Sequence, residues 1–146
     1  MLLLRCSSAK PLGALVSSAE TLGAPCLLLS PRAVEGKSRM EMEFAFYLAR
    51  RAFEGKINIS GKMANEALLF LAREMNFASA LRKAGAKDAR DFVLACEKDV
   101  SLVKVKQTMG LTSAKRVALP KIGTKKRSYF EGERAAEEMA LARTRN

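Results

Sequence analysis

A small two-layer domain that mixes helices with short strands, either α/β or α+β, is predicted by three observations. Short apolar runs bounded by turn residues recur at residues 2–4, 26–29 and 91–96, the length and punctuation of buried strands. Between them, apolar residues recur at helical spacing. The chain has 146 residues, 49% hydrophobic and 28% charged, enough for one domain with a core and too few for two comfortable ones.

The elements follow in order. Residues 2–4 are read as a first buried strand. Leu12, Leu15, Val16, Ala19 and Leu22 mark a helix over 11–21 with Pro11 in its first turn. Gly23-Ala24-Pro25 ends it, and a second strand over 26–29 stops at Ser30-Pro31. Residues 34–37 are read as a loop. Ser38 is a candidate N-cap for the clearest helix. Its apolar stripe is Met40, Phe44, Leu48 and Ala52, widened by Ala45 and Ala49, and Gly55 is its expected stop. Residues 57–60 connect to a helix over 63–75 that is apolar almost all round, and hence central. A short helix over 77–84 ends at Gly85, with Asn76 at the junction. A third strand over 91–96 precedes a helix capped by Asp99 or Ser101 and stopped by Gly110. Further on, residues 117–119 suggest a short strand, 123–127 a loop, and 129–143 a final helix with early glutamates and late arginines. The expected division is a domain over 1–110 and a basic tail with a C-terminal helix over 111–146.

Composition narrows the chemistry. The longest apolar run, 67–72, falls well short of the roughly 18 residues a membrane helix needs. The N-terminal leucines lack a preceding basic region and end at Arg5, so they read as a strand and not as a signal peptide. Cys6, Cys26 and Cys96 are far apart and odd in number, which suggests three core thiols in a reducing cytosol. No metal site and no cofactor are expected: there is no histidine, no CxxC, no GxGxxG after the first strand and no GxxxxGK[ST]. Without histidine, Ser/His/Asp and Cys/His catalysis are excluded, and no catalytic residue is assigned. Glu41 and Glu43 face different directions on a helix. Glu66 and Glu74, eight residues apart, lie two turns from each other. Glu66 lies in the most apolar helix, so a partner is expected for it, either a basic group or a backbone amide. An enzyme using Glu66 as a base is the least favoured reading.

The formal net charge is +11, a property that concerns partners and favours polyanions. From Val100 to Phe130 there is no acidic residue, while Lys104, Lys106, Lys115, Arg116, Lys121, Lys125, Lys126 and Arg127 lie within that stretch. A second cluster is Lys62, Arg73, Arg82, Lys83, Lys87 and Arg90. Phosphate contacts need only such charges at the surface. Phe77, between Arg73 and Arg82, supplies the apolar platform that single strands favour.

Residues 66–77, Glu-Ala-Leu-Leu-Phe-Leu-Ala-Arg-Glu-Met-Asn-Phe, with Ala80-Leu81 and Gly85 beyond them, resemble the central motif of the smallest regulatory subunit of the KEOPS complex, the TPRKB (PRPK-binding protein) family, in its archaeal type. Tyr47, Ala49 and Ala52 and the 57–60 connector are also similar, so the likeness covers roughly residues 41–96. It implies a single two-layer α+β domain with a small, mostly antiparallel sheet and several helices. It implies a cytoplasmic, non-catalytic accessory subunit that binds a PRPK-like small kinase/ATPase. It further implies a part in making N6-threonylcarbamoyladenosine, by capturing tRNA through its single-stranded 3′ CCA end. The surface should then show one basic RNA face and one apolar patch for the kinase, with no membrane role. The expected RNA-binding residues are Lys62, Arg73, Asn76, Phe77, Arg82 and Lys83. Where the family has arginine-glutamine-isoleucine, this chain has Met75-Asn76-Phe77. Asn76 keeps an amide and Phe77 an apolar contact, but Met75 loses a cation. On a continuous helix Arg73 points about 200° away and does not replace it. The alternative reading is a stand-alone basic RNA-binding module, for example one associated with the ribosome.

Overall fold

The structure, a computed structural model, describes residues 1–121 together with Glu138 and Leu141. The sheet is built where the sequence is most continuously apolar. β1 (Leu2–Ser8) and β3 (Phe92–Cys96) pair antiparallel, with Leu2 opposite Cys96 and Cys6 opposite Phe92. β2 (Cys26–Leu29) flanks β3 and β4 (Leu111–Arg116) flanks β1, both antiparallel, giving the order β2-β3-β1-β4. The fold is α+β, as expected.

The chain groups into two compact units. One comprises Met1–Glu35 and Ala84–Ala118 and holds the sheet. Alternate residues of the central strands, Leu2, Leu4 and Cys6 with Phe92, Leu94 and Cys96, enter one buried cluster. α1 (Leu12–Ala19) adds Leu15 and Ala19, and α6 (Leu102–Met109) adds Val105 and Met109. The two-residue period of the strands and the three-to-four spacing of the helices place these side chains on facing surfaces. Burying each large one contributes roughly 1.5–3 kcal/mol. The outer side of β2 is also occupied: Ser30 N–H donates to Ala84 O (2.9 Å) and Ala86 N–H to Leu28 O (3.0 Å).

The other unit comprises Gly36–Lys83 and the described residues after Ala118. α3 (Arg39–Glu54) and α4 (Met63–Ala72) pack on each other there. α5 (Phe77–Ala84) follows α4. Ser38 caps α3 as expected. Its Oγ accepts from Glu41 N–H (3.2 Å), while Glu41 Oε2 accepts from Ser38 N–H (2.6 Å), a reciprocal capping box. The next two amides of α3 donate to the carbonyls of Pro120 and Lys121.

Several sequence expectations are corrected. The buried face of α3 is Met42, Ala45, Phe46, Leu48, Ala49 and Ala52, whereas Met40 is exposed and Phe44 partly so. The helix carries two overlapping apolar stripes, and tertiary packing selects the one through Met42 and Phe46. α3 does stop at Gly55, its C-cap, as expected, and the residue after it, Lys56, takes the left-handed conformation (φ 55°). α4 ends at Ala72, three residues before the expected end, because Arg73 is also left-handed (φ 56°). Arg73 and Met75 are therefore not on one continuous helix. Residues 31–34, read as a strand stop running into a loop, form a short helix, α2 (Pro31–Val34), whose Ser30 hydroxyl accepts from Ala33 N–H. The strand sought at 117–119 lies earlier: 111–116 is β4, so the expected tail begins inside the sheet. Its sequence is polar because, as an outer strand, it leaves most of its side chains exposed. The loop expected at 123–127 lies outside the described residues. So does the final helix at 129–143, save Glu138 and Leu141, which are both helical.

The cysteine reading is corrected as well. Cys26 and Cys96 face each other in the β2–β3 register and form a disulfide, their Cα atoms 4.1 Å apart. Seventy residues separate them in sequence, so only the strand order makes them neighbours. Cys6 is free and buried. Among the described residues, no helix is long and apolar enough to cross a membrane.

Candidate nucleic-acid interface

The candidate site is built at the junction of α4 and α5. α4 carries an unbroken buried run from Glu66 to Ala72. Such a helix has to stop abruptly where the chain meets solvent. It does so by a paired closure: Arg73 N–H donates to Phe70 O (3.2 Å) and Glu74 N–H to Leu69 O (3.0 Å). This closure needs a left-handed residue, for which glycine is usual. Here the residue is Arg73, and its side chain is exposed. α5 restarts at once. Asn76 Oδ1 accepts from Ser79 N–H (3.1 Å) and Asn76 O from Ala80 N–H (3.0 Å), so Asn76 is the N-cap of α5. The expected amide contact to RNA thus falls on a side chain whose oxygen already serves the helix.

Around this turn Met75, Phe77 and Leu81 are exposed, Phe77 at 38% and Leu81 at 45%. Phe77 and Leu81 are four residues apart on α5 and share a face. Arg82 donates from Nη2 to Ser79 Oγ (3.1 Å), which steadies the guanidinium along the helix. Lys83 Nζ lies 3.4 Å from Glu74 Oε1, an exposed pair that leaves the cluster one charge less positive.

Lys37 is the residue that sequence reasoning missed. It is half-buried, directly before Ser38 in the chain. Burial lowers its ammonium below the usual lysine range; Glu41 opposes that, while Arg73 and Lys83 add to it. Lys37 therefore feels Arg73 and Lys83 as like charges. Nothing in the local sequence announces this, because the other two cations arrive from 36 and 46 residues further along. A cluster of cations that repel one another is relieved by an anion.

Not every expected residue joins this group. Lys62 stands at the N-terminus of α4, 11 residues from Arg73 and so roughly 16 Å away along the helix. Lys87 and Arg90 belong to the sheet unit. The described cations of the acid-free stretch are spread over several elements. Lys104 and Lys106 lie on α6, Lys115 and Arg116 on β4, and Lys121 in the other unit. Lys104 Nζ donates to the Leu22 carbonyl (3.3 Å).

The carboxylates have structural partners. Glu66, fully buried, accepts from the amides of Ile59 (3.1 Å) and Ser60 (2.8 Å), which ties the 57–60 connector to α4. The expected backbone partner is thus present. Glu43 pairs with Arg39 at 2.9 Å. Among the described residues no group of three cysteine, aspartate or glutamate side chains could hold a metal ion.

On α3, Met40 (42% exposed), Phe44 and Tyr47 (54% exposed) form an aromatic and apolar stripe, with the Phe44 and Tyr47 rings stacked at 5.9 Å. Known proteins add no identity to these features: no protein-family model matches the chain, and no curated protein matches it.

Proposed function

We propose that this protein is a non-catalytic accessory subunit of the KEOPS type. It binds a small PRPK-like kinase/ATPase and helps recruit tRNA, through the 3′ CCA end, for N6-threonylcarbamoyladenosine modification in the cytoplasm. The observation that carries the RNA half is the α4–α5 turn. There Arg73, Arg82, Lys83 and the half-submerged Lys37 accompany exposed Met75, Phe77 and Leu81. Point charges hold phosphates, and apolar side chains offer a surface to unpaired bases. The resemblance over residues 41–96 supports the assignment to this family. The kinase half draws on the Met40–Phe44–Tyr47 stripe, the apolar patch expected for a protein partner.

Two measurements test the reading. A pull-down with the cognate kinase-like subunit should recover a complex at low and moderate salt, and Tyr47→Asp should abolish it without weakening RNA binding. Its absence from wild type would refute the kinase half. Binding of tRNA with and without its CCA end tests the other half: a marked loss on removing CCA is expected. Equal affinity would instead support the stand-alone RNA-binding module, which the +11 charge favours.

A further inference from the structure

We propose that the Cys26–Cys96 disulfide is a reversible clasp on strand β2, opened by small thiols that attack the sulfur of Cys26. The pair closes the open end of a short ladder. Cys26 is the first residue of the four-residue β2, and Cys96 is the last residue of β3. Beyond the disulfide that end is held by one backbone bond, Glu97 N–H to Pro25 O (2.9 Å). The two sulfurs differ in access: Cys96 is fully buried, whereas Cys26 is partly exposed. Thiol exchange follows access.

The step balances. A thiolate forms a bond to Cys26 Sγ, the Cys26–Cys96 bond breaks, and Cys96 leaves as a thiolate that takes up a proton. A second small thiolate then displaces Cys26 and carries away a small-molecule disulfide. Two thiols are oxidised and one protein disulfide is reduced. The Ala24 carbonyl, 3.3 Å from Cys26 Sγ, is placed to accept the new thiol proton. Closure reverses the sequence, with the small-molecule disulfide as oxidant.

The third cysteine keeps this a two-state device. Cys6 lies opposite Phe92, four strand positions from the Leu2–Cys96 pair, roughly 13 Å along the sheet. Burial pushes its thiol up to about 12. It is therefore protonated at neutral pH and too far away to compete for either partner.

β2 is the element the clasp controls. On its other side Leu28 accepts from Ala86 N–H, and Ser30, just past the strand, donates to Ala84 O, so opening should loosen both margins of the strand. The full-length chain is equilibrated, natively folded, in buffers of glutathione and glutathione disulfide at different ratios. It is then denatured, alkylated and weighed. One alkylation, at Cys6, is expected under oxidising conditions and three under reducing ones. Cys6→Ser should give none and two. Hydrogen exchange should show the amides of Ser30, Ala86 and Glu97 opening at least about tenfold faster in the reduced chain. The amides of the β1–β4 ladder should stay unchanged. Three alkylations under oxidising conditions would overturn the proposal, since no disulfide would then form. A single alkylation after long native reduction would make it a permanent staple. Identical exchange in the two states would show that the bond controls nothing.

Discussion

Glu66 shows how one buried charge organises a chain segment. A carboxylate removed from water is costly unless it is fully bonded, and two backbone amides supply those bonds. Glu66→Ala would leave both amides without their acceptor. We expect a loss of about 2–4 kcal/mol, read from denaturant unfolding. Glu66→Gln keeps one carbonyl oxygen and should cost clearly less; equal losses would show that hydrogen bonding is not what holds the connector. Lys37 is the opposite case, a charge whose surroundings disfavour it. Its folded pKa lies below its ordinary value, first through burial. The unfolded chain therefore holds this proton more tightly, and stability rises with pH between the folded pKa and the unfolded value of about 10.4. At neutral pH the full penalty is present. Lys37→Met should raise the Tm by about 2 °C at pH 7 and flatten the alkaline rise in stability. It should also weaken RNA binding. An unchanged Tm with unchanged affinity would remove Lys37 from the site.

At the scale of elements, both α3 and α4 end in the same paired closure with a basic residue where glycine is usual. At α3, Lys56 N–H donates to Phe53 O and Ile57 N–H to Ala52 O, and Lys56 holds the left-handed position. Such a conformation costs a non-glycine residue about 1–2 kcal/mol. Lys56→Gly and Arg73→Gly should each stabilise the protein by roughly 1 kcal/mol. Only Arg73→Gly should reduce RNA affinity, because only Arg73 sits among the other cations and the exposed apolar side chains. Equal affinity for the two variants would mean that the strain at Arg73 serves no binding role. The ends of α3 and α4 also show where pattern reading loses resolution. A cap signalled by Ser38 and Glu41 is local and legible. A left-handed lysine or arginine carries no such signal, so the stop of α3 at Gly55 was legible while the turn at Lys56 was not, and α4 ends three residues before the expected Met75.

For the whole molecule, the +11 charge sets how binding responds to salt more than it sets the fold. Affinity for RNA should fall steeply as ionic strength rises, with a log–log slope that counts the phosphates contacted. Reversing Arg82 and Lys83 to glutamate should make that slope shallower and weaken binding at least about tenfold. The Tm should hardly change, because both side chains are exposed. An unaltered slope would place the RNA elsewhere on the basic surface.

By itself, the sequence determined a small domain that mixes helices with short strands, the three apolar strands, the order of the main helices and the need for Glu66 to have a partner. These follow from local periodicity and from the cost of burying charge, both of which act over a few residues. Only the tertiary structure decided which stripe of α3 faces inward, that 111–116 completes the sheet, that Cys26 meets Cys96, and that Lys37 joins Arg73 and Lys83. Each of those depends on which distant segments become neighbours. A polar outer strand, a pair of cysteines 70 residues apart and a lysine in a loop carry no period from which that choice can be read.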